Sequence, residues 1–243
     1  MPLLLGYPDQ ARKTVDCALE NIHARLDIND QFGLFDFGAQ LHTYIRDVDR
    51  VKGLADTLIE MSKTYDFSFF HCSGQYFQGW ALAHAGNAKA GAALAREGQM
   101  GIQRHGSRML EPYSRALVAE SLALAGEHRE AIKEVDAGIA FANDKGNVYW
   151  NPQLLKLKGD SLRALAAPDS DVEAWYLRAK ALAHAQHARS LELRAAVGLA
   201  RLWQKQSRTA EAFEMLAGIY NWFTEGFETP DLKDARALLA VIG

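Results

Sequence analysis

EPYSRALVAESLALAGEHREAIKEVDAGIAFAN, residues 111–143, reads as one helical hairpin. Its first half places Ala116, Ala119, Leu122 and Ala123 at the three-and-four spacing of a helix face. Gly126 stops that face, and a second helix begins near His128 with Ala131, Ile132, Val135, Gly138 and Ile139 turned back toward the first. Ala119, Ala131 and Gly138 stand where two helix backbones can come close, because a large side chain there would hold them apart. The pattern recurs along the chain. Ala39, Gly79, Ala119, Gly159 and Ala200 occupy the equivalent first-helix position at spacings of 40, 40, 40 and 41. Ala11, Val51, Gly91, Ala131, Ala174 and Ala212 form the second-helix series, spaced 40, 40, 40, 43 and 38. A fixed period of this length with two helices per unit predicts an all-α helical solenoid.

Composition agrees with that class. Of 243 residues 49% are hydrophobic and only six are Pro, so a continuous helical core is expected in one array running over the whole chain. No apolar run is long enough to span a bilayer. MPLLLGYPDQ at the start has three Leu but no basic leader, so a cytoplasmic location is the default expectation. A net charge of −3 with both signs interspersed predicts no general affinity for nucleic acid or membrane. Cys17 and Cys72 lack metal or redox spacing and are expected to be buried or half-buried thiols.

The repeats are expected at residues 1–28 (partial), 29–65, 66–104, 109–143, 148–188 and 190–223, with a capping helix at 230–241. In the first, Gly6, Ala11, Val15, Ala18 and Leu19 reproduce the second-helix pattern, so the chain begins inside a repeat. A bare apolar N-terminal face is therefore expected, and with it a possible homodimer. Asp30 is the predicted cap of the helix carrying Phe32, Phe35 and Ala39, and Arg46 takes the turn position that Gly fills elsewhere. Residues 143–147 form the strongest break. Pro152 opens the next helix, and the loop at 166–171 is expected to be about three residues longer than its counterparts. Thr229 and Pro230 start the last helix.

Gly79 or Ala119, Gly126, Ala131 and Gly138-Ile139 together resemble the small-residue contact points of tetratricopeptide-type (TPR) repeats, and the Gly-x-x-x-x-Ala spacings at 6–11 and 126–131 fit the motif's turn. The period of 40 exceeds the motif's usual ~34, which implies longer helices, as in the TPR-like regions of large signal-transduction ATPases. The run SLELRAAVGLARLWQKQSRTAEAFEMLAGIYNWFTEGFETPDLKDARALL, residues 190–239, is similar to the C-terminal end of bacterial regulators in which a nucleotide cyclase or DNA-binding domain precedes an AAA-type ATPase and helical repeats. No Gly-x-x-x-x-Gly-Lys-Ser/Thr phosphate loop is present, so no activity of such a parent is assigned here.

The resemblance implies that first helices line a concave groove, and it places Asp36, Gln40, Tyr44, Tyr76, Trp80, His84, Tyr113, Glu120, Gln153, Lys156, Asp160, Arg163, Arg194, Arg201 and Lys205 on that surface. The groove would be aromatic in its N-terminal half and basic in its C-terminal half, suiting a peptide with an apolar anchor and acidic residues. Against this stands a reading in which Tyr76 and Trp80 are core and the cations form a solvated face. Of the family's peptide-carboxylate clamp only Lys156 has a counterpart, so chaperone-tail binding is not expected.

Catalytic and metal constellations find little support. His184 and His187 lack further ligands for a four-ligand set, and adjacent His71 and Cys72 point about 100° apart on a helix and cannot meet. Asp169, Asp171 and Glu173 read as a helix-capping cluster, and Trp222, Phe223 and Phe227 as rings sealing the last hairpin. The expectation is a right-handed, curved stack of about 5.5 TPR-like hairpins of ~40 residues with a C-terminal capping helix. Its expected role is a non-catalytic protein or peptide scaffold without cofactor, part of a larger signalling regulator. The alternative is a small-molecule sensor with an aromatic pocket at Tyr44, Tyr76, Trp80 and Tyr113.

Overall fold

The computed structural model describes residues 5–22 and 27–243. Among these the secondary structure is helical throughout: α1 (Pro8–Glu20), α2 (Ile28–Tyr44), α3 (Val48–Tyr65), α4 (Ser68–His84), α5 (Ala88–Arg104), α6 (Glu111–Leu124), α7 (His128–Lys145), a 3-10 turn (Val148–Trp150), α8 (Asn151–Ala164), α9 (Asp169–Ala185), α10 (Arg189–Lys205), α11 (Thr209–Tyr220) and α12 (Pro230–Ile242). No helix among the described residues is long and apolar enough to cross a membrane.

Backbone conformation carries the period as clearly as composition does. Left-handed residues follow the first helices of the repeats at Arg46, Gly86, Gly126, Ala166 and Ser207, spaced 40, 40, 40 and 41, and Gly6 lies 40 positions before Arg46 in the same conformation. A second series, Asp66, Gly106, Gly146, His187 and Gly226, ends the second helices at spacings of 40, 40, 41 and 39. Glycine adopts this conformation freely, whereas Arg46, Ala166 and Ser207 hold it against about 1 kcal/mol each. Packing of the flanking helices must impose the turn at those three places.

Several expectations change in detail. The 165–168 connection is one residue longer than the three-residue turns of the other hairpins, rather than three, because Asp169, Ser170 and Asp171 already belong to α9. Val172, fully buried, therefore takes the second-helix position in place of Ala174, which is exposed. The spacing becomes regular at 41 and 40 from Ala131 to Val172 to Ala212. Asp27, not Asp30, caps α2, accepting from the Asp30 amide at 3.0 Å. At α12, Thr229 donates its hydroxyl to the Gly226 carbonyl at 2.6 Å and makes no side-chain cap. Cys72 is half-buried as expected, but Cys17 is exposed.

The chain divides into two compact units: residues 11–134, called the first unit here, and residues 1–10 with 135–243, the second. In the first, α4 and α5 are pressed together at their glycines. A Cβ on Gly79 would stand 2.3 Å from the Ala95 nitrogen, and one on Gly91 2.5 Å from the Ala83 nitrogen, so here small residues do permit backbone contact. Phe32, Leu58, Phe77, Trp80, Ala95 and Val118 are buried around this seam. In the second unit Gly159 has a different purpose. It and Gly198 seat the ring of Tyr176, whose Cε1 would lie 2.8 and 2.7 Å from a Cβ at either position. Tyr176 then joins Val172, Leu193, Leu199, Leu216, Phe223 and Leu232 in one buried cluster.

The expected bare N-terminal face falls partly on residues 1–4, which lie outside the described residues; next to them Leu5 is exposed, whereas Gly6 is buried and Tyr7 half-buried. Trp222 packs against Gly6 and edge-on to Tyr7, with ring centroids 5.7 Å apart. Glu225 Oε1 accepts from the Asp9 and Gln10 amides at 2.9 and 3.0 Å, and Asp9 Oδ2 accepts from the Gly226 amide at 2.8 Å. These are capping bonds for the free N–H groups of the first turn of α1, supplied from more than 200 residues away. Trp222 thus covers Gly6 and Tyr7 within the second unit.

Candidate functional site

In the first unit the first helices touch one another in succession, α2 with α4 and α4 with α6. Large residues between them are consequently covered. Tyr44, Tyr76, Trp80 and Tyr113 are all buried. Tyr44 stacks on Tyr113 at 6.2 Å, Tyr113 meets Tyr76 edge-on at 6.5 Å, and the Thr43 and Tyr113 hydroxyls are 2.5 Å apart. Burial pushes the hydroxyls of Tyr76 and Tyr113 well above the ordinary tyrosine range. The aromatic half of the expected groove is therefore core.

Glu120 sits at the end of this aromatic row. Its Oε1 lies 2.8 Å from Arg46 Nη1 and its Oε2 accepts from Trp80 Nε1 at 2.9 Å, with His84 Nε2 at 3.8 Å. Burial alone would raise its pKa, but the Arg46 charge, His84 and Trp80 hold it well below the usual glutamate value. His84 rests on the Trp80 ring at 4.2 Å. This is a polar lock between repeats in which Arg46 and Trp80 hydrogen-bond Glu120, while the buried His84 Nε2, 3.8 Å from the carboxylate, makes no hydrogen bond among the described residues.

Beside it lies a cavity of about 160 Å³, lined by Asp36 of α2, Phe69, Ser73 and Tyr76 of α4, residues of the 105–110 connection including Met109, and Glu111 of α6. Asp36 accepts a hydrogen bond from the buried Ser73 hydroxyl, and burial raises its carboxyl from 3.8 to about 6. Among the described residues no cation pairs with it. Glu111 is the opposite case: Arg108 Nε at 2.6 Å and Arg115 Nη2 at 3.0 Å flank it, and they hold its pKa below the ordinary value against the effect of burial. Sequence reasoning places Asp36 on this surface but misses the cavity and Glu111. The available signal was an acid between Phe35 and Phe37; the connection that closes the site has no repeat pattern to reveal it.

In the second unit four of the five expected cations meet acids. Arg194, buried, pairs with Asp231 of α12 at 2.7 Å, and exposed Arg201 with Asp234 at 2.5 Å. Lys156 pairs with Asp160 at 2.6 Å, and Asp160 also accepts from the Tyr176 hydroxyl at 2.7 Å. Lys205 is exposed and only 3.7 Å from Asp169. Arg163 is exposed and makes no ion pair among the described residues. Arg163 and Arg201 both act electrostatically on the Tyr176 hydroxyl, opposing the upward push of burial on its pKa. Gln153 is buried. Elsewhere, His184 Nδ1 lies 2.9 Å from Glu192 while His187 takes a left-handed turn, and no group of three His, Cys, Asp or Glu able to hold a metal occurs among the described residues.

No protein-family model matches the chain. An uncharacterized protein of Rhizobium meliloti is 28% identical over 153 residues, 63% of this chain but 15% of that protein. Among solved structures, the Signal Transduction ATPase with Numerous Domains from Pyrococcus horikoshii, which has a tetratricopeptide repeat sensor, superposes with a TM-score of 0.61 at 16% identity, covering 98% of this chain and 39% of that one. Yeast Tom70 superposes with a TM-score of 0.52 at 15% identity, covering 95% of this chain and 47% of Tom70. The chain thus spans less than half of each of these proteins. Its fold is all-α and TPR-like.

Proposed function

We propose that the chain is a non-catalytic, protein-interaction region of a longer signalling regulator, and that it takes an acidic peptide segment on the first-helix face of its second unit, around Arg163, Arg201 and Lys205. TPR-like folds commonly serve as protein scaffolds, and a sensor of this type forms part of the Pyrococcus ATPase. The observation that carries the reading is exposed charge on the first helices of this unit: Arg163 makes no ion pair among the described residues, and the pair of Arg201 with Asp234 is exposed on both sides. An exposed ion pair contributes about 0–1 kcal/mol, so a partner's carboxylate can replace Asp234 at little cost. Arg194 is excluded from this role, since its partner Asp231 is half-buried against it. Lys156 and Asp160 border the face and neutralise each other.

The test is selection from a random peptide display library by the whole chain and by an Arg163→Glu, Arg201→Glu double variant with an unchanged circular dichroism spectrum. Enrichment of acidic peptides by the natural chain, weakened by salt and abolished in the variant, is the expected result. Equal enrichment by both proteins, or selection with no acidic bias, would sink the proposal.

A further inference from the structure

The cavity in the first unit suggests an activity separate from the peptide face. We propose that it binds a small organic cation, an ammonium group carried on a short apolar body. Three features of the site specify that chemistry. Its volume of about 160 Å³ is close to that of an engineered cavity of ~150 Å³ that takes up benzene, so the body has roughly the size of one six-membered ring. Phe69, Tyr76 and Met109 supply apolar and aromatic wall, against which a cation is attracted by ring quadrupoles. Asp36 supplies a carboxylate that accepts a hydrogen bond from the Ser73 hydroxyl and pairs with no cation among the described residues.

The charge balance decides between ligands. Glu111 is already matched by Arg108 and Arg115, whereas Asp36 has no counter-charge among the described residues. An anion would face two carboxylates. A neutral apolar molecule would leave the Asp36 charge desolvated, and its raised pKa of about 6 reports that cost. Calcium and magnesium take six or more oxygen ligands and zinc four, and no group of three His, Cys, Asp or Glu able to hold a metal occurs here among the described residues. An ammonium group completes the pair, donates hydrogen bonds to Asp36 and leaves its apolar body on the rings. The same chemistry could come from a free amine or from a lysine side chain of a partner.

Calorimetric titration of the whole chain at neutral pH tests this with three probes: benzylamine, benzyl alcohol and N-acetyl-lysine amide. Benzylamine should bind saturably and at least about tenfold tighter than benzyl alcohol, which has the same shape without the charge. Asp36→Asn should abolish that preference. Ser107→Trp, placed in the connection to fill the cavity while leaving Asp36 intact, should abolish binding altogether. Displacement of benzylamine by the lysine amide would support the cation site and assign its source to a partner's side chain; no displacement would assign it to a free amine. Absence of benzylamine binding, equal binding of the alcohol, or undiminished binding to either variant would overturn the proposal.

Discussion

Substituting Gly79→Ala should destabilise the protein even though alanine is the better helix former. The added Cβ would lie 2.3 Å from the Ala95 nitrogen, 2.6 Å from the Gly91 carbonyl oxygen and 2.8 Å from the Ala95 Cα. All three atoms are backbone, so no rotamer change relieves the clash. Reaching the ~3.5 Å of an unstrained contact requires α4 and α5 to separate by about 1 Å. Overpacking a filled core by one methyl costs about 1–3 kcal/mol, and a rigid backbone wall puts this site near the upper end. Removing a helical glycine returns about 1 kcal/mol. The net loss of about 2 kcal/mol should lower Tm by about 4–8 °C in a chain of this size. Gly53→Ala is the control, because it sits on an exposed face of α3 with nothing within 4 Å of the added atom. There the propensity gain acts alone, and Tm should rise by about 2–4 °C. Thermal and urea melts of both variants read the difference. A Gly79→Ala protein melting at or above the natural one, while Gly53→Ala rises normally, would refute direct backbone packing between α4 and α5.

Asp36→Asn should stabilise the protein at pH 7 by about 1–3 kcal/mol and leave it unchanged near pH 4, because the folded carboxyl, raised to about 6, binds its proton more tightly than the unfolded one. The natural chain accordingly loses this stability as pH rises from the ordinary aspartate value through 6; urea melts at both pH values check it, and an equal gap between the proteins at each would contradict it. Asp231→Ala should cost about 3 kcal/mol by removing the carboxylate paired with buried Arg194, whereas Asp234→Ala, at an exposed pair, should cost under about 1 kcal/mol. Equal denaturant midpoints for these two variants would mean that burial does not separate the pairs. Glu225→Ala should remove about 1 kcal/mol of capping from the start of α1, seen as faster hydrogen exchange at the Asp9 and Gln10 amides; unchanged exchange at both would show that Glu225 is not the cap.

The period, the hairpins and the positions of the turns were readable from residues alone, because a helix face, a glycine stop and a small contact residue are each written within a few positions of one another. Ala39, Gly79, Ala119 and Ala200 are buried where that reading puts them. The one register error, Ala174 for Val172, arose where the turn lacks a glycine and an aspartate-rich stretch resembles loop while it begins α9. What no local pattern records is which first-helix residues a neighbouring repeat covers. Tyr76 and Trp80 satisfy the description of groove residues and of core residues equally well, and only the contact of α4 with α2 and α6 makes them core.

The same limit applies to charge. An arginine's availability depends on acids brought to it from elsewhere: Asp231 reaches Arg194 across 37 positions, and Glu225 caps α1 across 216. Asp36 is the converse, an acid to which the fold brings a hydroxyl, aromatic walls and a cavity but, among the described residues, no cation. Helical periodicity is short-range information and determines the elements of this protein; desolvation and charge pairing are set by whatever the tertiary structure places alongside, and they decide where a partner could act.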